Sequence, residues 1–293
     1  MVLIVIVLGG PASPNLSRKV AELLNANYSM IDWKIFPDGE SYIKCPIDVK
    51  DEEVIVIQTT FPYQDKRLIE LFLILDLIRD LNAKEVTVVI PYLAYMRQDK
   101  RFLNGEALSI KTIAKIIESL GVDRVVSIDI HSPLILDYFN IEFQNLSAMP
   151  SIGDYIKRLN LREPFILAPD KKASKLAKNV AEIVNAPYGY LEKKRDLITG
   201  KVETKFKRLN VEGKNVIIVD DIISTGGTIV NAARIVKSLN PIDIRAACTH
   251  ALLVGNAFNR LKEANVIEVI GTDTIESEFS KVTVAQVIAD ALR

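Results

Sequence analysis

Val216-Ile217-Ile218-Val219-Asp220-Asp221-Ile222-Ile223-Ser224-Thr225-Gly226-Gly227-Thr228 is the stretch that decides the fold. Four apolar, β-branched residues run into two carboxylates. Small, hydroxyl-bearing and glycine residues follow, and Ile229, Ala232, Ala233, Val236 and Leu239 then recur at helical spacing. The order is strand, loop, helix. Glycine lets the backbone turn tightly and approach a ligand closely. N–H groups at a helix N-terminus form an anion nest, and hydroxyls add donors. Ser224 to Thr228 therefore have the make-up of a phosphate cradle. Asp220 and Asp221 are expected just past the strand's carboxyl end, where an open parallel sheet places its ligands. Adjacent carboxylates repel and need hydroxyls, water or a cation. Together the cradle and the acids suit a sugar phosphate. A solvated turn with a helix cap would explain either feature alone, but not their coincidence. No Lys follows the glycines, so the loop is not of the Walker type.

Working outward, short β-rich runs alternate with amphipathic helices, the pattern of α/β units with parallel strands. Val2–Leu8 precedes a helix carrying Leu16, Val20, Leu23 and Leu24. Val54–Ile57 precedes one carrying Leu68, Leu71, Phe72 and Leu75, and Val86–Ile90 one carrying Ile113, Ile116, Ile117 and Leu120. Val125–Ile130 closes the first half. The second half repeats the theme, with strands at Phe165–Ala168, at the central stretch, and near Ile244–Cys248 and Val266–Ile270. A last helix covers Val284–Leu292. Two such halves meeting near residue 146 suggest a duplication.

Several polar motifs follow these strands. Phe36-Pro37-Asp38-Gly39-Glu40 is a turn by its Pro and Gly, and its aromatic and acids could receive a base. Arg97-Gln98-Asp99-Lys100-Arg101 groups cations that could take a polyphosphate, with Arg97 able to bind two oxygens at once. Taken alone, each reads first as a solvated surface segment. His131, in Asp129-Ile130-His131-Ser132-Pro133, and Asp170, after Phe165–Ala168, are candidates to meet a metal or its water shell. His250 lies in an apolar run and reads as structural. Leu191-Glu192-Lys193-Lys194-Arg195-Asp196 opens a charged segment running to Lys214, with a turn at Thr199-Gly200; such runs are usually solvated, but its cations could close over a transferring phosphoryl group.

The bulk numbers bound the class. At 293 residues the chain has room for two domains. Lys plus Arg and Asp plus Glu are both 37, which argues against a general nucleic-acid binder. Two cysteines, Cys45 and Cys248, fit a reducing cytoplasm. No apolar run is long enough for a membrane helix.

In this order, FPDGE at 36–40, RQDKR at 97–101, DIHSP at 129–133 and VDDIISTGGT at 219–228 resemble the ribose-phosphate pyrophosphokinases. The resemblance covers almost the whole chain; the last motif alone marks only the wider phosphoribosyltransferase superfamily. It implies an α/β fold of two phosphoribosyltransferase-like domains, each a mainly parallel sheet flanked by helices. Residues 1–146 would be the ATP side and 147–293 the ribose 5-phosphate side. The C-terminal segment, roughly the last 15 residues, would pack back on the first domain. The implied reaction transfers the β,γ-diphosphate of ATP to the 1-hydroxyl of ribose 5-phosphate, with Mg²⁺. Asp220 and Asp221 would hold the ribose hydroxyls, and Ser224, Thr225, Gly226, Gly227 and Thr228 the 5-phosphate. Arg97, Gln98, Asp99 and His131 would meet ATP, His131 and Asp170 the metal. Lys193 and Arg195 would neutralise the transferring group. Phe36, Asp38 and Glu40 would receive adenine from an adjacent subunit, making the protein at least a homodimer, without nucleic-acid or membrane partners.

Two departures stand out. Many members read Asp-Thr-Cys-Gly-Thr where Ser224–Thr228 stand, and strongly regulated ones carry Ser-Arg-Ala-Pro-Ile-Ser after the basic motif, where this chain has Phe102-Leu103-Asn104-Gly105-Glu106-Ala107-Leu108-Ser109. Both resemble archaeal members. The competing functions are a phosphoribosyltransferase that consumes the diphosphate product, for which FPDGE and RQDKR would have no task, and a non-catalytic partner of a synthase.

Overall fold

The computed structural model describes residues 5–195, 202–205 and 209–293. It divides into two units, Met1–Ser147 with Thr274–Glu276 and Thr283–Arg293, and Ala148–Asp273 with Ser277–Val282.

The first unit runs β1 (Val5–Gly9), α1 (Pro14–Leu24), β2 (Asn27–Met30), β3 (Asp32–Ile35), β4 (Ser41–Lys44), β5 (Glu53–Ile57), α2 (Gln64–Asp80), β6 (Glu85–Ile90), α3 (Ser109–Ser119), β7 (Arg124–Ile128) and β8 (Glu142–Leu146). Its parallel sheet has the order β2-β1-β5-β6-β7-β8, and β3 and β4 form a separate antiparallel hairpin. The second unit runs α4 (Met149–Arg158), β9 (Pro164–Ala168), α5 (Ser174–Val184), β10 (Tyr188–Tyr190), β11 (Glu192–Arg195), β12 (Val202–Lys205), β13 (Asn215–Ile223), α6 (Gly227–Lys237), β14 (Asp243–Ala251), α7 (Ala257–Glu263), β15 (Val266–Thr272) and β16 (Ser280–Val282). Its parallel sheet has the order β10-β9-β13-β14-β15-β16, and β11 and β12 form the second hairpin. The two orders match strand for strand, hairpin included. The repeat lies in topology rather than in sequence.

Central strands are β-branched runs buried on both faces, as parallel sheets covered by helices require. Val216 to Val219 have no exposed surface. Ile229, Ala232, Ala233 and Val236 of α6 pack with Val216, Ile218, Leu261 and Val269 in one core. Helices α1 and α5 both stop at an asparagine in the left-handed conformation, Asn25 (φ 51°) and Asn185 (φ 57°), a conformation asparagine tolerates well.

The last helix, α8 (Ala285–Ala291), belongs to the first unit and packs on α1. Arg124 donates to the Ala291 carbonyl (3.0 Å), and Arg293 to that of Leu23 (2.9 Å). The N-terminus of α1 is satisfied from the same tail. Glu276 accepts from the backbone of Asn15 (2.8 Å) and Leu16 (2.9 Å) and from the Asn15 amide (2.6 Å). A carboxylate at a helix N-terminus meets both the orphan donors and the dipole.

The hairpin β3–β4 has Asp32–Ile35 wholly on the surface, and the structure ties it to α2 through buried charge. Glu70 has no exposed surface; it accepts from Ser41 of β4 (2.9 Å) and pairs with Arg67 (2.6 Å), whose guanidinium lies 5.7 Å from the Trp33 ring centroid.

Several expectations about elements need correction. The central strand does not stop at the acids but runs to Ile223, because β14 is long enough to keep pairing: Asp220 lies opposite Cys248 and Ile222 opposite His250. The strand expected to reach Ile130 ends at Ile128, where Asp129 turns to φ 41°. The first strand is described from Val5; residues 2–4 lie outside the described residues. Strands β2, β8, β10 and β16 and helix α7 were not anticipated. They are three to seven residues long, too short to show a period.

Candidate functional site

In the second unit the strand order reverses between β9 and β13, the place where open α/β sheets form a crevice. The ladder between these strands ends at Ile218 opposite Leu167. Beyond it β13 has lost its β9 neighbour while keeping β14, and this is where Asp220 and Asp221 fall. The carboxyl group of Asp220 accepts from the Asp221 N–H (3.0 Å), and that of Asp221 from the Ile222 N–H (2.8 Å). Burial first, and then the negative charge of Asp221, push the Asp220 carboxyl up to about 8; Asp170 adds to the push. Asp170 follows β9 across the crevice. Its Oδ1 accepts from the backbone N–H groups of Lys172 (2.9 Å) and Ala173 (3.2 Å), so it also shapes the turn into α5. Three carboxylates thus share one strand-end region.

The loop after β13 leads straight into α6. Gly226 has φ 74°, is buried and precedes the first helical residue. A side chain there would meet the Ala257 carbonyl and the Leu261 side chain at 3.6 Å, an ordinary contact, so it is φ rather than space that calls for glycine. Three successive carbonyls of the loop point away from the helix entrance. Ile223 accepts from the Leu253 N–H (3.0 Å), Ser224 from the Val254 N–H (3.1 Å), and Thr225 from the Arg260 guanidinium (3.2 Å). In a trans peptide the N–H opposes the C=O. The N–H groups of Ser224, Thr225 and Gly226 are thereby turned to the other side, as an anion nest needs. Thr225 and Thr228 are exposed, and Ser224 and Gly227 half-buried. Arg260 was missed by sequence reasoning. It stands in a seven-residue helix with no motif around it.

Lys193 and Arg195 lie on β11, opposite Thr204 and Val202 of β12. The turn expected at Thr199-Gly200 lies outside the described residues.

In the first unit, Arg97, Gln98 and Asp99 follow β6, and His131 follows the neighbouring strand β7. Arg97 and His131 are exposed and Asp99 is buried. The carbonyl of Asp99 accepts from the Tyr138 hydroxyl (2.7 Å), and the Gln98 N–H donates to Tyr95 (3.1 Å), itself at φ 65°. Beyond them, Glu106 accepts from the N–H groups of Phe102 (2.7 Å) and Leu103 (3.0 Å), which hold its carboxyl below the usual carboxylate range. The switch point of this unit, between β1 and β5, is filled by the chain itself. Ser13, Gln58, Thr59 and Thr60 are all buried there. Ser13 accepts from the Thr59 N–H (2.8 Å), Gln58 from the Ala12 N–H (3.0 Å), and Thr60 from the Ala94 N–H (2.7 Å).

Phe36 to Glu40 form the tip of the β3–β4 hairpin. Phe36 meets Tyr42 edge-on (5.9 Å between centroids), and the Lys34 ammonium lies 5.0 Å and 4.8 Å from the two ring centroids. Gly39 (φ 97°) donates to the Phe36 carbonyl (2.9 Å), and Asp38 accepts from the Glu40 N–H (3.1 Å). All five residues are exposed. His250 is fully buried in β14. Cys248 is buried too, and burial together with Asp220 pushes its thiol far up; both cysteines are free. Among the described residues no group of three or more His, Cys, Asp or Glu side chains is arranged to hold a metal ion by itself.

Comparison with known proteins agrees with this architecture. A family model described as the N-terminal domain of ribose phosphate pyrophosphokinase matches residues 5–121, and one described as the phosphoribosyl transferase domain matches 146–282. The ribose-phosphate pyrophosphokinase of Saccharolobus solfataricus is 47% identical, over 98% of this chain and 100% of its own. That of Methanothermobacter thermautotrophicus is 40% identical, over 98% of this chain and 99% of its own. The crystal structure of phosphoribosylpyrophosphate synthetase from Mycobacterium smegmatis superposes with a TM-score of 0.86 at 26% identity, covering 99% of this chain and 98% of the other. With both halves matched and archaeal relatives aligned from end to end, the chain belongs to the ribose-phosphate pyrophosphokinase family.

Proposed function

We propose that the chain makes 5-phosphoribosyl 1-diphosphate and AMP, moving the β,γ-diphosphate of ATP to the 1-hydroxyl of ribose 5-phosphate. The observation that carries the reading is the crevice of the second unit. There two crowded carboxylates lead directly into a loop whose carbonyls are tied back, so that its N–H groups face the entrance of α6. A sugar phosphate answers both halves of this site. Its hydroxyls donate to Asp220 and Asp221, and its phosphate accepts from Ser224, Thr225, Gly226, Gly227 and Thr228.

The sugar oxygen attacks the β-phosphorus as the bond to the α-phosphate oxygen breaks and AMP leaves; the hydroxyl proton passes to solvent. No covalent nucleophile is needed, so the chain's work is to position the reactants and neutralise charge. Arg97, Gln98, Asp99 and His131 are assigned to ATP. Lys193 and Arg195 are assigned to the transferring diphosphate. Phe36, Asp38 and Glu40 are assigned to the adenine of an adjacent protomer, which makes a homodimer the smallest working assembly.

The cofactor of this reading is Mg²⁺. The residues present fit it. Burial first, then the Asp221 charge, with Asp170 adding to it, raise the proton affinity of Asp220, a cost that a hard cation bound by these oxygen donors would relieve. His131 and Asp170 are the residues assigned to the metal–nucleotide, His131 through phosphate or water, since imidazole is a poor Mg²⁺ ligand. When bound, the ion supplies charge neutralisation along the diphosphate.

The test is product analysis on the purified chain with ATP, Mg²⁺ and ribose 5-phosphate. AMP and phosphoribosyl diphosphate should form in equal amounts, only with sugar present, and chelation should stop both. ADP would mean ordinary kinase chemistry. Binding of both substrates without turnover would mean the non-catalytic partner.

A further inference from the structure

The phosphate loop takes two of its three carbonyl anchors from backbone, but the third from one side chain. We propose that Arg260 is a positioning residue for the 5-phosphate of ribose 5-phosphate, a role that rests on the assignment of the loop above. Its guanidinium donates to the Thr225 carbonyl (3.2 Å), and Nη2 lies 3.9 Å from the point where a Gly227 side chain would begin. It is therefore beside the loop on the side away from the nest.

The two backbone anchors, Leu253 to Ile223 and Val254 to Ser224, prolong the pairing of β13 with β14. They persist for as long as the sheet does. The Thr225–Gly226 peptide comes after that pairing and before the first residue of α6, so neither sheet nor helix fixes it. Arg260 does, and with it the direction of the Gly226 N–H. Gly226 has no side chain to restrict its own rotation and sits at φ 74°, where the peptide has alternatives close in energy. Arg260 also places a permanent positive charge next to a loop that would receive a dianion. Both effects act on the phosphate end of the sugar and on nothing else in the reaction. Helix α7, which carries Arg260, is held independently by buried Ala257 and Leu261, so removing the guanidinium leaves the helix seated.

Steady-state kinetics of the full chain provide the test, with ribose 5-phosphate varied at saturating Mg-ATP and then the reverse. Arg260→Met should raise the KM for ribose 5-phosphate about tenfold, because the Gly226 N–H loses its fixed direction and the loop its neighbouring positive charge. The KM for ATP and the kcat should stay within about threefold, because the reacting phosphorus is untouched. Arg260→Lys, which keeps the charge but not the fork, should fall between. A general disturbance of the fold would move both KM values and kcat together, and that result would overturn the proposal, as would an unchanged sugar KM in either variant. Should Arg260→Met not fold, the sugar KM of Arg260→Lys decides alone. Absence of product from the unaltered protein would refute the assigned reaction instead, and direct calorimetry of ribose 5-phosphate on both proteins would then still decide whether Arg260 serves the phosphate.

Discussion

Filling the crevice should expel a proton. The Asp220 carboxyl, pushed up to about 8 by burial and by Asp221, is held mainly protonated at pH 7. Hydroxyl donors and a cation both favour the ionised form. Binding of ribose 5-phosphate with Mg²⁺ should therefore release up to about one proton per site at pH 7, and far less at pH 9.5. Calorimetry in two buffers of different ionisation enthalpy measures this number directly. Stability of the free protein carries the same signature. The folded-state value lies above the unfolded one, so the contribution of Asp220 is full below about pH 4 and is lost as pH rises through about 8. Each unit is worth about 1.4 kcal/mol, which places the loss on the order of 5 kcal/mol. Asp221→Asn removes the neighbouring charge and should flatten the fall. A heat of binding independent of buffer at pH 7, together with a melting temperature indifferent to pH between 5 and 9, would refute the reasoning.

Three further outcomes are expected. Lys193→Ala or Arg195→Ala should depress turnover more than ATP affinity, since both are assigned to charge that develops in the transition state; ATP binding lost with turnover retained would contradict the assignment. Gly10→Ala should destabilise by about 1–3 kcal/mol in thermal melts, because its Cβ would fall well inside contact distance of the buried Gln58 side chain; an unchanged melt would show that Gln58 can move. Glu70→Ala strands the Arg67 charge under the hairpin and should cost about 3–5 kcal/mol in urea unfolding, whereas a loss below about 1 kcal/mol would mean that water already reaches the pair.

The fold was legible where period and burial coincide. Val216–Val219 and Ile229–Val236 declared a strand and a helix because both faces of one and the inner face of the other are core. Ser224–Thr228 was legible for a different reason: only a backbone that must turn and bind combines glycines with hydroxyls directly after a strand. Ends of elements were not. Whether β13 stops at Val219 or at Ile223 depends on the length of β14, and nothing in residues 216–223 records that length. Arg260 escaped for a similar reason. Its effect reaches a loop 35 residues earlier in the chain through a single hydrogen bond, and local sequence carries no trace of it. The buried tie between Glu70 and Ser41 was hidden as well, since Glu70 reads as an ordinary helix-surface acid until its neighbours are known.

The Glu276 carboxylate at the start of α1, with α8 alongside it, has a consequence for the order in which the protein is made. Both belong to the half whose sheet is encoded first. As the chain leaves the ribosome, that sheet can form early, but the N-terminus of α1 keeps its open donors, and the apolar side of α1 its missing cover, until the final residues emerge. The second unit, whose strands are complete by Val282, has no such wait. The half synthesised first is thus the half finished last, and losing the residues after Val282 should harm the N-terminal unit more than the one they directly follow.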